Sequence, residues 1–393
     1  EDIAVRVEAG VYVTGTTLSF GVGGRDAFLL KYAPDGSLEW QRTYGTTPSP
    51  INPGHEFGSG VAAALDGSVY VTGQFSQGNL FLVKFDTAGN LIWQRTWGDT
   101  GAGPAGVAVA ADNSVSVAGV TSTSGEGQGD ALLVRFTPDG DAVWAHTWGG
   151  PFRDAAQGLA VGADGGIYIT GDTNSFFDED AFVVKFAPDG ALLWERSWRA
   201  IGSAGSGFSF GFGIGTSPDG SVYMTGLAGG TGRDESVFLV KFDATGALLW
   251  EKLSGPDFGN GEEVAVSADG HVYVAGTAPD SSGSSDAFVV QFLPGGRARS
   301  ATMWGGAGRE NGNAIATTPD GSVAVAGTAS APPYALTRAA HRTVKPTSVL
   351  HVPAGVVAMA SGAIGSPIGI VTIPIGSESF AGATDAAMFR LLP

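Results

Sequence analysis

The chain contains no cysteine and few basic residues. The absence of cysteine excludes disulfide bridges, thiolate metal sites and cysteine nucleophiles, and it leaves the redox compartment open. Only 21 of the 393 residues are Lys or Arg, against 38 Asp or Glu, so the formal net charge at pH 7 is −17. Because a chain of this charge repels phosphate backbones, we expect no nucleic-acid partner.

Long uninterrupted apolar segments are also scarce. One uncharged stretch, residues 352–377, has the length to cross a bilayer, but Gly362, Gly365, Pro367 and Pro374 break any helix within it. We therefore expect no membrane span. The chain opens with neither the charged nor the apolar region of a targeting peptide, which has either been removed or never existed.

Glycine is the residue that the sequence has in excess, with 63 copies and no Gly-X-Y period. Because glycine weakens helix interiors and serves turns, this excess argues against a helical bundle and predicts many tight turns. Hydrophobic residues make up 43% of the chain and aromatic residues 10%, enough for a large core. The sequence therefore predicts a folded protein rather than an acidic disordered chain.

A thirteen-residue segment, Val61 to Gly73, recurs along the chain. Its copies are residues 3–15, 61–73, 107–119, 159–171, 214–226, 264–276 and 315–327. A second block follows each copy after a connection of variable length, and the tryptophans that end this block stand at positions 40, 93, 144, 194 and 250. Seven copies of a unit about fifty residues long are typical of propeller blades rather than of helical repeats.

Each unit contains four apolar runs that are rich in β-branched and aromatic residues. Asp-Gly pairs join the first run to the second and the third to the fourth, and such pairs accept the positive φ of a tight hairpin turn. We predict an all-β fold, a seven-bladed β-propeller of four-stranded antiparallel blades with a long insertion in the last blade. The recurrent tryptophans are predicted to pack between blades. The predicted blades are residues 1–45, 59–98, 105–150, 157–199, 212–255, 262–306 and 313–393, and the insertion is 328–384.

The repeat also carries a family resemblance. The pattern V-A-V-x-x-D-G-x-V-Y-V-T-G, followed by D-A-F-V-V-K-F-x-P-D-G-x-L-L-W-x-R-x-W-G-G, resembles the SBBP repeat, a β-propeller repeat of bacterial surface and secreted proteins. The resemblance covers nearly the whole chain except residues 328–384. It implies an extracellular, cell-surface or periplasmic location. It says little about function, since propellers host lectins, scaffolds, lyases and hydrolases.

The connections differ between the two ends of the predicted strands. Tight turns close the first and third connections, whereas the second-to-third and fourth-to-next connections vary in length, so antiparallel order places all variable connections on one face. Binding residues concentrate on such loops. An acidic residue stands five positions before the first strand in three units, at Glu56, Asp154 and Glu310. These acids could bind a hard cation such as Ca²⁺ or act as acid and base.

The alternative for these acids is a solvated acidic rim with local Arg pairing, as in Arg153–Asp154 and Arg309–Glu310. A second candidate on this face is the alternating series Phe208, Phe210 and Phe212. Alternation places the three rings on one side of an extended segment. They either line a hydrophobic or sugar-stacking wall or seal a blade interface.

The insertion reverses the charge of the rest of the chain, with Arg338 and Arg342 close to His341 and His351. Insertions of this length in compact folds are usually functional or linker-like. We predict a basic flap on an acidic propeller mouth, or an arm that reaches a neighbouring molecule. The outer edge of the seventh blade is then either bare, which makes it a docking strip, or filled by residues 368–375.

No catalytic motif appears in a usable context. We therefore predict a non-catalytic binding or scaffold module for a partner protein or glycan, or a subunit of a surface assembly, without a cofactor other than the Ca²⁺ considered above. The alternative is a polysaccharide lyase or hydrolase at the propeller mouth. It would use His55 or His341 with Glu56 or Glu310, because histidine suits proton transfer near neutral pH.

Overall fold

The computed structural model consists of β-strands and their connections. It describes residues 2–6, 10–19, 21–22, 24–46, 54–76, 78–97, 103–125, 127–175, 179–200, 207–230, 233–254, 258–280, 283–305, 308–318, 321–330, 357–361, 371–372 and 385–391. Within these ranges there is no helix, and hence none with the length and apolar character to cross a membrane.

Five consecutive groups of four strands each form one antiparallel sheet, in which strand order follows the chain. Blade one contains β1 Asp2–Arg6, β2 Gly10–Thr17, β3 Asp26–Tyr32 and β4 Leu38–Tyr44. Blade two contains β5 Glu56–Ala63, β6 Val69–Phe75, β7 Leu80–Phe85 and β8 Leu91–Trp97. Blade three contains β9 Gly103–Val109, β10 Val115–Thr121, β11 Asp130–Phe136 and β12 Ala142–Trp148.

Blades four and five continue this order. Blade four contains β13 Asp154–Val161, β14 Ile167–Thr173, β15 Asp180–Phe186 and β16 Leu192–Trp198. Blade five contains β17 Gly207–Thr216, β18 Val222–Gly230, β19 Arg233–Phe242 and β20 Leu248–Leu253. The four-stranded antiparallel blade predicted from the repeat is confirmed in all five.

The remaining strands form one sheet of nine strands, which is blade six. Its strands are β21 Asn260–Val266, β22 Val272–Pro279, β23 Ser285–Phe292, β24 Ala298–Trp304, β25 Arg309–Thr317, β26 Val323–Ser330, β27 Val357–Ser361, β28 Val371–Thr372 and β29 Asp385–Leu391. A single parallel pair, Ser285 with Arg309, joins β23 to β25, so the last two sequence units share one sheet. The propeller therefore has six blades, and the prediction of seven was wrong.

The prediction for the outer edge of the last unit was also wrong. Strand β27, rather than residues 368–375, pairs with β29, from Val357 opposite Leu391 to Ser361 opposite Ala387. Strand β28 then pairs with β27. The remainder of the predicted insertion after Ser330 lies outside the described residues.

Tight turns close the hairpins as the Asp-Gly pairs predict. In blade two the N–H of Ala64 donates to the carbonyl of Ser68 at 2.8 Å, and Gly67 adopts a φ of +85°. The Asp66 carboxylate accepts the N–H of Ser68 at 2.9 Å, and this hydrogen bond within the turn stabilises its conformation. The same backbone pattern recurs from Ala110 to Ser114 and from Gly162 to Gly166.

The core lies between blades. Tyr12 and Leu29 of blade one pack with Val71 and Phe81 of blade two, and all four side chains are buried. The ring closes in the same way, because Ile3 of blade one packs in one cluster with Ala314 and Ala324 of blade six. Since each sheet buries both faces against neighbours, radial closure solves the burial problem that a single four-stranded sheet cannot.

The recurrent tryptophans pack between blades, as predicted. The indole N–H of Trp93 in blade two donates to the carbonyl of Pro138 in blade three at 3.2 Å. Trp144 and Trp194 make the equivalent bond to the next blade, at 3.2 and 3.1 Å. Because the same contact recurs in successive blades, these tryptophans stabilise the packing of neighbouring blades and do not form a ligand-binding surface.

Candidate functional site

Variable connections share one face of the disc, which we call the variable face. In each of the first five blades the strands are antiparallel and follow chain order, so the second-to-third and fourth-to-next connections emerge at the same end. In the described part of the chain, the opposite, tight-turn face carries the short hairpin turns described above. The first strands of neighbouring blades contact one another, which makes them the inner wall around the propeller axis.

Each of six inner strands carries a β-bulge near the variable face. In β5, for example, Gly58 pairs with Gly73 and Gly60 pairs with Thr72, which leaves the residue between them without a partner in the ladder. Bulges re-aim side chains and recur next to functional sites. The bulged residues are Ser59, Ala105, Gln157, Phe212, Glu262 and Asn313, which we call the bulge ring.

The bulge ring is accessible from the axis. Gln157 is exposed and the other five members are half-buried, whereas Gly58, Gly158 and Gly211 beside them are buried. At most packing positions the blades repeat one residue type, but at this position they carry a hydroxyl, a methyl, two amides, an aromatic ring and a carboxylate. Such variation on a repeated scaffold marks a position that packing does not dictate.

Acidic side chains gather on one side of the ring. Glu262 and Glu263 on β21 and Asp2 on β1 are half-buried. Burial raises the pKa of Asp2 to about 6, although its carboxylate accepts the N–H of Val61 at 2.8 Å. Burial, followed by repulsion from Asp2 and Glu262, raises the pKa of Glu263 to about 8. Near neutral pH Glu263 therefore retains its proton and can donate a hydrogen bond, whereas Asp2 is mostly ionised.

A polar group stands across the ring on blade four. Arg153 Nη1 lies 2.6 Å from Oδ2 of Asp172, and the Gln157 amide donates to Oδ1 of the same carboxylate at 3.3 Å. Asp172 is buried, whereas the Arg153 side chain is 49% exposed. The predicted pairing of Arg153 with Asp154 was therefore wrong. The observed arrangement holds an arginine and an amide at the mouth, where both retain unused donors.

The three phenylalanines of blade five form a stack, as their alternation predicts. Ring centroids of Phe208 and Phe210 lie 5.1 Å apart, and those of Phe210 and Phe212 lie 6.5 Å apart, with interplanar angles of 29° and 22°. All three rings are half-buried. The stack runs along β17 from the variable face to the bulge ring, where Phe212 is a member.

The three acids predicted for a cation or for acid–base chemistry are buried and lie apart. Glu56, Asp154 and Glu310 stand at the starts of β5, β13 and β25, in three different blades, with exposures of 0%, 0% and 4%. Their interpretation as a solvated rim was therefore wrong. In the described part of the chain, no group of three His, Asp or Glu side chains is arranged to hold a metal ion.

Local hydrogen bonds explain why Asp154 tolerates burial. Its carboxylate accepts the N–H of Gly150 at 2.8 Å and the hydroxyl of Ser175 at 2.6 Å, and it also accepts the hydroxyl of Thr173. Glu56 has a poorer environment. Its Oε1 accepts the hydroxyl of Thr46, but Oε2 has no partner among the described residues, and burial raises its pKa.

The remaining predicted residues divide between described and undescribed parts of the chain. His55 precedes Glu56, and its Nδ1 has no hydrogen-bond partner in the described ranges. Arg309 is exposed at the first position of β25. Arg338, His341, Arg342 and His351 lie outside the described residues.

Sequence reasoning missed the bulge ring. In two of the six strands the signal that could have found it is a Gly-x-Gly pattern directly before the thirteen-residue segment, Gly58-Ser59-Gly60 and Gly211-Phe212-Gly213. In these two strands the glycine after the bulged residue has a steric reason, because a Cβ at Gly60 would lie 3.1 Å from the N atom of Val107, and one at Gly213 would lie 2.5 Å from Cα of Glu263.

Comparison with known proteins agrees with a β-propeller. A family model described as a domain of unknown function (DUF5122) beta-propeller matches residues 110–142. The regulatory protein FlaEY of Caulobacter vibrioides is 32% identical over 131 residues, which cover 29% of this chain and 14% of that protein. The propeller part of the expected resemblance is confirmed, whereas the SBBP repeat itself stays a prediction.

Solved structures align over most of the chain at low identity. The WD40 repeats of RRP9 align with a TM-score of 0.51 at 10% identity, over 82% of this chain and 92% of that chain. A gluconolactonase from Xanthomonas campestris gives a TM-score of 0.42 at 16% identity, over 80% and 91%. A protein of unknown function from Bacteroides caccae gives a TM-score of 0.41 at 12% identity, over 73% of this chain and 92% of that chain. At 10% identity, the similarity to the RRP9 repeats shows a shared fold and nothing about function.

Proposed function

We propose that this β-propeller is a non-catalytic binding module whose axial mouth on the variable face takes a glycan. The observation that carries the proposal is the bulge ring, in which structurally equivalent positions of six inner strands carry varied side chains. A repeated scaffold with a varied inner ring is the arrangement expected when rigid elements present a ligand site.

Three features of the mouth suit a glycan. The Phe208–Phe210–Phe212 stack offers half-exposed ring surface for the C–H face of a sugar. Gln157 and Asn313 offer amide donors and acceptors, and Glu262 offers a carboxyl group whose pKa is raised by burial. Neutral donors and acceptors beside an aromatic surface match a ligand rich in hydroxyl groups.

The burial of the acids predicted for catalysis argues against turnover by them. Hydrolysis of a glycosidic bond ordinarily requires two carboxyl groups that flank one bond. Glu56 and Glu310, the acids expected to serve this role, are buried in different blades rather than presented together at the mouth. A regulatory protein among the relatives accords with a binding role as well.

Calorimetry with a defined panel tests this proposal. The panel contains gluco-, galacto- and manno-oligosaccharides in both anomeric linkages, and each is titrated into the wild-type protein. We expect at least one to bind, and we expect Gln157→Ala to weaken that binding about tenfold through loss of hydrogen bonds to the sugar. Phe212→Ala should weaken it further.

Leu193→Ala is the matched control, because Leu193 is 54% exposed on an outer strand away from the mouth. It should bind like the wild type. Binding that is unchanged in Gln157→Ala and Phe212→Ala, or no binding across the panel, would contradict a glycan site at the mouth. Chromatographic detection of shortened oligosaccharides after incubation would contradict the non-catalytic role.

A further inference from the structure

A row of side chains crosses one face of each of the first five blades, fixed by the pairing register. In blade two Tyr70 lies opposite Lys84, and Lys84 lies opposite Trp93. The Lys84 ammonium stands 5.2 Å from the centroid of the Tyr70 ring. Four blades repeat this row: Tyr12–Lys31–Trp40, Tyr70–Lys84–Trp93, Tyr168–Lys185–Trp194 and Tyr223–Lys241–Trp250.

Blade three departs from this row at two of its three positions. Ser116 lies opposite Arg135, and Arg135 lies opposite Trp144. Ser116 is 0% exposed and Arg135 is 5% exposed. A hydroxymethyl group and a guanidinium therefore occupy a buried place where the other four blades carry a phenol ring and an ammonium.

Two polar atoms in this place have no hydrogen-bond partner among the described residues. Arg135 Nη2 donates to the hydroxyl of Ser114 at 2.5 Å and lies 3.5 Å from Oδ2 of Asp112. Arg135 Nη1 and the hydroxyl of Ser116 are both buried, and neither has a hydrogen-bond partner among the residues that the structure describes. Ser116 and Arg135 are directly opposed on one face of the sheet, where Cβ atoms lie about 5 Å apart.

Buried donors without acceptors are costly, and natural structures usually satisfy them with a water or an ion. Here the guanidinium can only donate, and the serine hydroxyl can rotate to donate as well, so the missing group is an acceptor. The positive charge of Arg135 is incompletely balanced, because the side chain of Asp112 is 67% exposed and already accepts the N–H of Ser114. An anion meets both requirements, whereas a metal cation meets neither.

We propose that blade three binds a small monovalent anion, of the size of chloride, between the Ser116 hydroxyl and Nη1 of Arg135. The site lies within the blade, away from the axial mouth, and is independent of the glycan proposal. The net charge of −17 opposes anion binding in general. Binding at this site consequently depends on these two donors. Its effect on stability should depend on which anion is present and not on ionic strength alone.

The experiment compares chloride with gluconate, an anion too large for the site, at equal ionic strength. We expect sodium chloride to raise the Tm of the wild-type protein by about 2 °C over sodium gluconate, because a ligand that binds only the native state stabilises it. Crystals grown in bromide should show an anomalous peak between Ser116 and Arg135.

The matched variant is Ser116→Tyr with Arg135→Lys, which copies the row of blade two and fills the place with a phenol ring. It should lose both the chloride-specific shift and the bromide peak. Ser116→Ala is the second variant, for use if the double change prevents folding, and it should reduce the shift. A shift that persists in the variants, no shift in the wild type, or a water in place of bromide would overturn the proposal.

Discussion

Arg196 on the outer strand of blade four donates from Nε to the carbonyl oxygen of Gly246 in blade five, at 2.7 Å. Its guanidinium also lies over the ring of Trp194, 5.6 Å from the centroid, and that indole donates to the carbonyl of Ala244 in the same turn. The equivalent Arg42 and Arg95 reach Gly89 and Gly140 at 2.7 and 2.9 Å. Neighbouring blades are thus joined by a charged residue and an aromatic residue acting together.

Arg196→Ala should destabilise the protein by about 1–2 kcal/mol, because it removes charged hydrogen bonds to the carbonyls of Gly246 and Thr245. Urea unfolding followed by tryptophan fluorescence measures the change. Leu193→Ala, at an exposed position of the same strand, should change the free energy of unfolding by less than about 0.5 kcal/mol. Equal effects of the two variants would show that the interblade bonds contribute nothing.

Steric crowding explains why glycine ends each thirteen-residue segment. A Cβ at Gly226 would lie 1.9 Å from the carbonyl oxygen of Phe210 on the neighbouring strand, and a Cβ at Gly171 would lie 1.8 Å from that of Ala155. Gly226→Ala should therefore destabilise the protein by about 2–4 kcal/mol. Gly295 provides the control, since a Cβ there meets no atom within 4 Å. Thermal unfolding should leave Gly295→Ala near the wild type, and comparable Tm losses for the two variants would refute the steric explanation.

Much of the fold could be predicted because the same pattern of strands and turns recurs in every unit of the repeat. Strand positions, tight turns and the packing role of Trp93 or Trp194 follow from patterns that recur in successive units. The blade count failed because one parallel backbone pair, Ser285 with Arg309, merges the last two units, and backbone pairing between distant strands leaves no side-chain pattern. The pairing of β27 with β29 was not predicted, for the same reason.

The candidate site was less predictable than the fold. The stacking of Phe208 and Phe210 could be foreseen, since alternation along a strand fixes the side on which the rings lie. The burial of Asp154 could not, because its hydroxyl donors Thr173 and Ser175 come from the following strand and connection. The bulge ring is a consequence of register, which a single strand sequence does not specify.

The buried acids Asp154 and Glu56 occupy equivalent positions and should respond differently to neutral replacement. Asp154→Asn should cost about 1–3 kcal/mol, because an amide nitrogen would face the N–H and hydroxyl donors that now surround the carboxylate. Glu56→Gln keeps the acceptor for Thr46 and removes a poorly solvated carboxylate, so its free energy of unfolding should equal or exceed that of the wild type. Urea unfolding at pH 7.5 distinguishes the two, and a destabilised Glu56→Gln variant would refute our account of this carboxyl group.

Glu263 should make stability fall as pH rises. Its pKa is raised, chiefly by burial, from 4.5 in the unfolded chain to about 8 in the folded protein, so the native state retains a proton that the unfolded state has lost. The contribution of the protonated group is complete below about pH 4.5 and is lost as pH rises to about 8. Asp2, with a pKa of about 6, acts in the same direction.

We therefore expect Glu263→Gln to reduce the loss of stability between pH 5.5 and pH 8.5. Each pKa unit corresponds to about 1.4 kcal/mol, and allowing for the half-exposed position we expect a difference of about 1–3 kcal/mol. Carboxylates with lowered pKa values, such as Asp219 at about 2, are ionised throughout this interval and do not contribute. Urea unfolding at the two pH values gives the measurement, with Asp141→Asn on the exposed tight-turn face as the control. If Glu263→Gln and Asp141→Asn show the same pH dependence as the wild type, Glu263 titrates as an ordinary surface carboxylate.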